Sequence, residues 1–328
     1  MKRFLLILVS MGLILSLLSS CYSVSDNVAP SDEEDREYEY YAINMNTDFP
    51  LSDNLPASDG EHIRVIILIG QSNATGCSLT SYLSEGVDED KYAEYASGYD
   101  NVLINFCLDN GKYTSGGEYR PVDLSCAAGD GYFGPELGLA ERLSYAYPNE
   151  KFVILKYTMS GYSLNHHWLY HGERAYIYNA FLPFVTTYMD QMIELGYDAK
   201  IEAVCWMQGE SDTTEYKGSR YLYNTERFVS FIRSDLAHYA ADGGIYFIDA
   251  GIADGPYCLP AYDDVNEAKR IFGDSDELNI YFSTIDMGLT TLYEPKSDPD
   301  LGHYDAMSEL ALGRRFGEEI VKILSERK

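Results

Sequence analysis

Apolar residues run almost unbroken through 63–69 (IRVIILI), without the alternation of a half-exposed strand, and predict a strand buried on both faces. Similar runs at 101–108 (NVLINFCL), 151–159 (KFVILKYTM), 200–207 (KIEAVCWM), 245–251 (IYFIDAG) and 278–285 (LNIYFSTI) predict five more. Between and after them, helical spacing covers 134–148, closed by Pro148, and then 175–195, 216–240, 263–272 and 305–327. Strands alternating with helices imply a three-layer α/β/α sandwich around a central, mostly parallel sheet, in which functional residues collect at the carboxyl ends of strands. No internal repeat or second linker interrupts 62–328, which reads as one domain.

The first 61 residues break this pattern. Lys2 and Arg3 precede the apolar stretch Phe4 to Leu18, and Leu18-Ser19-Ser20-Cys21 follows. The pattern predicts a secretory signal, residues 1–20, whose ending resembles a bacterial lipobox with Cys21 as the lipidated mature N-terminus; an uncleaved membrane anchor and an ordinary signal peptide are the alternatives. The expected location is the cell surface, exported and lipid-anchored to the bacterial membrane through Cys21. Residues 21–61, including SDEEDREYEYY, are acidic and lack apolar periodicity, and predict a flexible tether.

The formal charge is −28, and cleavage before Cys21 removes Lys2 and Arg3 to leave −30. Such a chain repels nucleic acid and anionic membrane surfaces, so no nucleic-acid partner is expected and a neutral polymer suits it better. Thirty tyrosines fit sugar binding, since a phenol offers an apolar face and a hydroxyl together, although most also serve as ordinary core and surface residues. Beyond Cys21 stand five cysteines, 77, 107, 126, 205 and 258, with no CxxC spacing, which points to neither a zinc site nor a disulfide framework. His166, His167 and His171 invite a metal-site reading, since His167 and His171 could share a helix face, but no nearby acidic ligand completes it and no metal is expected.

Chemistry gathers just past the buried runs: Gly70-Gln71-Ser72-Asn73, Ser160-Gly161-Tyr162, Trp206-Met207-Gln208-Gly209-Glu210-Ser211-Asp212, and Asp300-Leu301-Gly302-His303 before the last helix. Ser72, at a strand-to-helix turn, is the candidate nucleophile, and His303 the candidate base, since imidazole titrates near neutrality. Asp300 lies three residues before His303 and is placed to orient the ring, with Asp298 as its competitor.

These four blocks, GQSN (70–73), SGYSLNHHW (160–168), WMQGESD (206–212) and DLGH (300–303), resemble the SGNH hydrolase superfamily, which has a flavodoxin-like sheet. Within it they are most similar to the branch of sialate O-acetylesterases and acetylxylan esterases, carbohydrate esterase family six. Their order matches, and they span nearly the whole body. The resemblance implies a serine esterase that removes O-acetyl groups from carbohydrate, with acetylxylan or its oligosaccharides as partner and no metal or organic cofactor. Its catalytic residues would be Ser72, Asp300 and His303. The Ser72 and Gly161 N–H groups and the Gln208 amide would form the oxyanion hole. Gln71, Asn73, Trp168 and Glu210 would contact substrate, with Glu210 and Asp212 also holding the loop that presents Gln208. Where relatives usually carry Gly-Gly-Thr this chain has Ser160-Gly161-Tyr162, so the acyl pocket departs from the pattern. The rival readings are a sialic acid O-acetylesterase and a carbohydrate-binding surface lipoprotein without catalysis.

Overall fold

The computed structural model describes residues 43–327. The signal segment, Cys21 and the first half of the expected tether lie outside the described residues.

All six predicted strands form: β1 (His62–Gly70), β2 (Tyr99–Leu108), β3 (Lys151–Thr158), β4 (Asp198–Met207), β5 (Tyr246–Ala250) and β6 (Asn279–Phe282). They lie parallel in the order β6-β5-β4-β1-β3-β2. Two short stretches without a sequence signal, Tyr113–Thr114 and Arg120–Val122, add antiparallel pairing to β2. The last strand stops at Phe282, earlier than its apolar run, because the chain turns away at Ser283.

Register decides where the chemistry falls. Gly70 pairs with Thr158 on one side and with Met207 on the other, so three of the motif-bearing strand ends are level. The chain lays β3 and β4 on opposite sides of β1, which opens a crevice beyond its carboxyl end.

Five long helices cover the sheet: α1 (Pro135–Ala146), α2 (Tyr176–Glu194), α3 (Glu215–Asp235), α4 (Tyr262–Gly273) and α5 (Ala306–Glu326). Successive strand residues face opposite sides. Tyr157, Trp206 and Phe247 meet the aromatic residues of α2, α3 and α4, with Trp206 and Phe228 ring centroids 4.7 Å apart. Lys156 points the other way, towards α1. There α1 and α5 approach so closely that a Cβ at Gly313 would stand 2.0 Å from the Pro135 carbonyl oxygen. α3 ends at Asp235, and a separate short turn, Ala237–Tyr239, completes the stretch expected as one helix.

The tether expectation is corrected for its last third. Phe49 and Leu55 are buried in the main core. The Tyr188 hydroxyl and the Gln191 amide donate to the Pro50 and Ser52 carbonyls, and the Tyr197 hydroxyl to that of Pro56. An acidic, aperiodic composition did not exclude docking, because two well-placed apolar side chains and the backbone carbonyls between them suffice. Cys77, Cys107, Cys126, Cys205 and Cys258 are all free thiols.

Candidate active site

β1 ends where it does for a steric reason. Gly70 has φ of +148°, and a Cβ there would sit 1.9 Å from the Met207 carbonyl oxygen, which leaves glycine alone able to make the turn. A single helical turn, Ser72–Thr75, follows, in which Ser72 keeps 9% exposure and the other three residues less. Its first N–H groups have no intrahelical acceptor. The Thr75 hydroxyl lies 2.7 Å from that of Thr158 and 3.1 Å from that of Ser160, and the Thr75 carbonyl accepts from Lys156 Nζ at 2.9 Å.

His303 lies in the loop between β6 and α5, half-buried. Its Nδ1 is 2.6 Å from Asp300 Oδ2, while Asp300 Oδ1 accepts from the Gly302 N–H at 3.1 Å. Asp300 is therefore the carboxylate on the imidazole; Asp298 is exposed and its N–H donates to the Pro295 carbonyl. Partial burial opposes ionisation of Asp300, but the hydrogen bond and charge of His303, with the neighbouring N–H groups, outweigh it and hold the carboxyl below its ordinary value. With Nδ1 committed to Asp300, Nε2 is the nitrogen left to exchange a proton.

Asn73 joins these two segments. Its Nδ2 donates to Glu210 Oε1 at 2.6 Å and to the Gly302 carbonyl at 3.2 Å, and its Oδ1 accepts from the Tyr304 N–H at 3.2 Å. One side chain, adjacent to Ser72, thus grips the backbone on both sides of His303.

A second network surrounds Gln71. Its Oε1 accepts from Gln208 Nε2, the Gly209 N–H and the Ser211 N–H at 3.2, 3.4 and 3.2 Å. Gln208 Nε2 also donates to Asp212 Oδ2 at 2.7 Å and to the Tyr162 carbonyl at 3.2 Å, and Gln208 Oε1 accepts from the Tyr221 hydroxyl at 2.8 Å. Asp212 in turn accepts the Leu164 and Asn165 N–H groups, capping the turn that follows Tyr162.

Several expected roles are corrected by this arrangement. Gln208 is fully buried with both amide hydrogens spent on protein acceptors, so it braces the Tyr162 carbonyl beside Gly161 and does not present a donor to the cleft. Gln71, Asn73 and Glu210 are buried ties between loops and leave no surface for substrate. Trp168 is 0% exposed, wedged against Trp206, Phe181 and Phe228, and belongs to the core. Gly161 does face open space, with φ of +79° and nothing within 4 Å of where a Cβ would be.

Three residues outside the predicted set complete the site. Asp109, at φ +47°, accepts the Ser160 N–H at 2.8 Å and so holds the segment carrying Gly161. Nothing in the turn-like Asp109-Asn110-Gly111 announced this. Lys156 and Glu136 form a fully buried pair at 2.5 Å beneath the nucleophile turn. Here a signal existed: a lysine inside a strand buried on both faces must find an anion. Burial pushes the Glu136 carboxyl up, against the pull of Lys156.

The cleft beside His303 encloses about 300 Å³ and is lined by Cys77, Tyr132, Glu294, Asp298 and Tyr304, among others. Burial and the nearby carboxylates of Glu309 and Asp109 push the Cys77 thiol up to about 12, so it stays protonated and does not compete with Ser72 as nucleophile.

Known proteins agree with this architecture. A family model described as carbohydrate esterase, sialic acid-specific acetylesterase, matches residues 62–322. Among solved structures, a protein from Arabidopsis thaliana superposes with a TM-score of 0.54 at 18% identity, over 79% of this chain and 98% of its own. NanS superposes with a TM-score of 0.56 at 15% identity, over 82% of this chain and 99% of its own. Est24, a carbohydrate acetylesterase from Sinorhizobium meliloti, is more distant, with a TM-score of 0.43 at 11% identity, over 79% of this chain and 99% of its own. No curated protein sequence matches.

Proposed function

Because the chain belongs to the carbohydrate esterase family of sialic acid-specific acetylesterases, and is thus a carboxylic ester hydrolase, we propose that it deacetylates xylan or xylan-derived oligosaccharides through an acyl-enzyme on Ser72. The observation that carries this reading is the Asn73 tie, which couples the Ser72 turn to both backbone neighbours of a His303 already paired with Asp300.

Ser72 Oγ forms a bond to the acetyl carbonyl carbon while His303 Nε2 takes the hydroxyl proton. The carbonyl electron pair moves onto oxygen, where the Ser72 and Gly161 N–H groups stabilise it. Collapse of the intermediate breaks the bond to the sugar oxygen, which receives the proton from His303. Water then repeats the sequence, frees Ser72 and leaves acetate.

The xylan reading draws on the lining of the cleft, in which carboxylates are present and no lysine or arginine is. A second reading, an O-acetylated sialic acid, draws on the description of the matched family and on Lys217, whose Nζ donates to the Ser211 carbonyl at 3.1 Å across the Gln71 network.

Acetate release from acetylated xylan and from an O-acetylated sialic acid, compared between the protein and its Ser72→Ala variant, tests both. Release from xylan that vanishes in the variant is expected; preference for the sialic acid would install the second reading, and release that survives the substitution would remove Ser72 as nucleophile. We further infer an exported protein anchored by a lipid on Cys21. Cys21→Ala is expected to move the processed protein out of the membrane fraction, and its retention there would overturn the anchor.

A further inference from the structure

Large apolar side chains exposed to solvent are unevenly placed. Among the described residues four tyrosines stand in this group: Tyr132 lines the His303 cleft, Tyr293 precedes Glu294 of its lining, and Tyr257 packs beside Gly302, at 36%, 66% and 58% exposure. The fourth, Tyr145, is held elsewhere by hydrogen bonds to Lys91 and Glu94. Leu259, Leu292 and Leu301 are exposed on the same segments.

The segments touch one another. The Thr291 hydroxyl donates to the Leu301 carbonyl at 3.0 Å, and Gly255 approaches both residues. The Tyr257 ring packs over Gly302, the residue before His303, at 3.4 Å from the position of a Cβ. The N–H groups of Tyr293 and Glu294 both donate to Asp305 Oδ1, and Glu294 lines the cleft. Tyr132 lines it too, paired through its backbone with Leu79.

An exposed phenol loses water readily from its faces and keeps a hydroxyl for hydrogen bonding, which matches the axial C–H face and equatorial hydroxyls of a pyranose. Large apolar side chains exposed together around one cleft mark a binding surface. The charge selects among ligands: Glu294, Asp298 and Asp300 share the cleft, so a polyanion is repelled. We propose that Tyr132, Tyr257 and Tyr293 form a sugar-stacking rim that holds successive neutral pyranose units on either side of the acetylated one, and so selects a chain over a free monosaccharide. This rests on the esterase reading of the cleft and assigns its substrate class.

The test separates binding from turnover. Tyr257→Ala, Tyr293→Ala and the double variant are assayed on acetylated xylan and on p-nitrophenyl acetate. Stacking contacts of this type change affinity by up to about tenfold each. The expected result is a KM on acetylated xylan raised about five- to tenfold per substitution, with kcat and p-nitrophenyl acetate turnover unchanged and with Tyr257→Phe restoring the parental KM. An unchanged KM overturns the rim, as does a parallel loss on both substrates, which would make the tyrosines mere supports of the His303 loop. Native electrophoresis of the Ser72→Ala protein through soluble deacetylated xylan stands independently of catalysis. Retardation that the double tyrosine variant loses, and that polygalacturonate does not produce, supports the rim; absent retardation, or equal retardation by polygalacturonate, overturns it. If Ser72-dependent hydrolysis of p-nitrophenyl acetate persists while acetylated xylan is inert, the substrate reading fails but the gel result still decides the rim.

Discussion

Asn73 carries more of the geometry than its size indicates. Removing its side chain takes a hydrogen-bond donor from buried Glu210, at a cost of about 1–3 kcal/mol, and frees the Gly302–Tyr304 backbone from the nucleophile turn. A small displacement of base from nucleophile costs up to about 100-fold in turnover. Asn73→Ala is therefore expected to lower kcat 10- to 100-fold with KM nearly unchanged, measured by acetate release; a KM effect alone would return Asn73 to the substrate-contact role it was expected to have. Asp300 sets a pH limit at the same scale. Its folded-state carboxyl titrates below the ordinary value, so its stabilising contact with His303 is complete above that ordinary value and lost as pH falls through the depressed one.

At the scale of elements, the Lys156–Glu136 pair locks β3, the nucleophile turn and α1 together, since Lys156 Nζ also donates to the Thr75 and Cys126 carbonyls. Lys156→Met strands a buried carboxylate and is expected to destabilise the fold by about 3–5 kcal/mol in thermal unfolding. Adding Glu136→Leu removes that stranded charge and should recover most of the stability. Turnover is expected to stay low in the double variant, because the Thr75 carbonyl has lost its donor; full recovery of both would reduce the pair to packing. Glu309 on α5 is buried close by, with no hydrogen-bond partner for either carboxylate oxygen among the described residues, and burial pushes its carboxyl well above the ordinary value.

For the molecule as a whole, the docked segment is part of the domain. Phe49 packs on Phe184 at a ring-centroid distance of 5.3 Å, and Phe49→Ala is expected to cost about 3 kcal/mol in denaturant unfolding. A loss under about 0.5 kcal/mol, within the range of an ordinary surface substitution, would show that the segment contributes little. The six parallel strands, the five long helices and the layering were legible in the sequence, because a run such as IRVIILI has no stable place except between two covered faces. That the motif-bearing strand ends gather at one edge was legible too, since a parallel sheet delivers Gly70, Thr158 and Met207 there whatever covers it. Burial of individual polar and aromatic side chains was not. Trp168 and Gln208 sit in segments that border the cleft in sequence, yet which way each points depends on what α3 and the opposing loops present: Phe228 receives the indole, and Tyr221 and Asp212 take up the amide. Composition likewise read 43–61 as solvated, and only the groove beside α2 made room for Phe49. Sequence by itself determined the periodic backbone and the places where chemistry collects, because local sterics and two-sided burial are properties of short stretches. Tertiary structure alone decided which of those side chains face substrate, because a polar group is free only if no distant element satisfies it first.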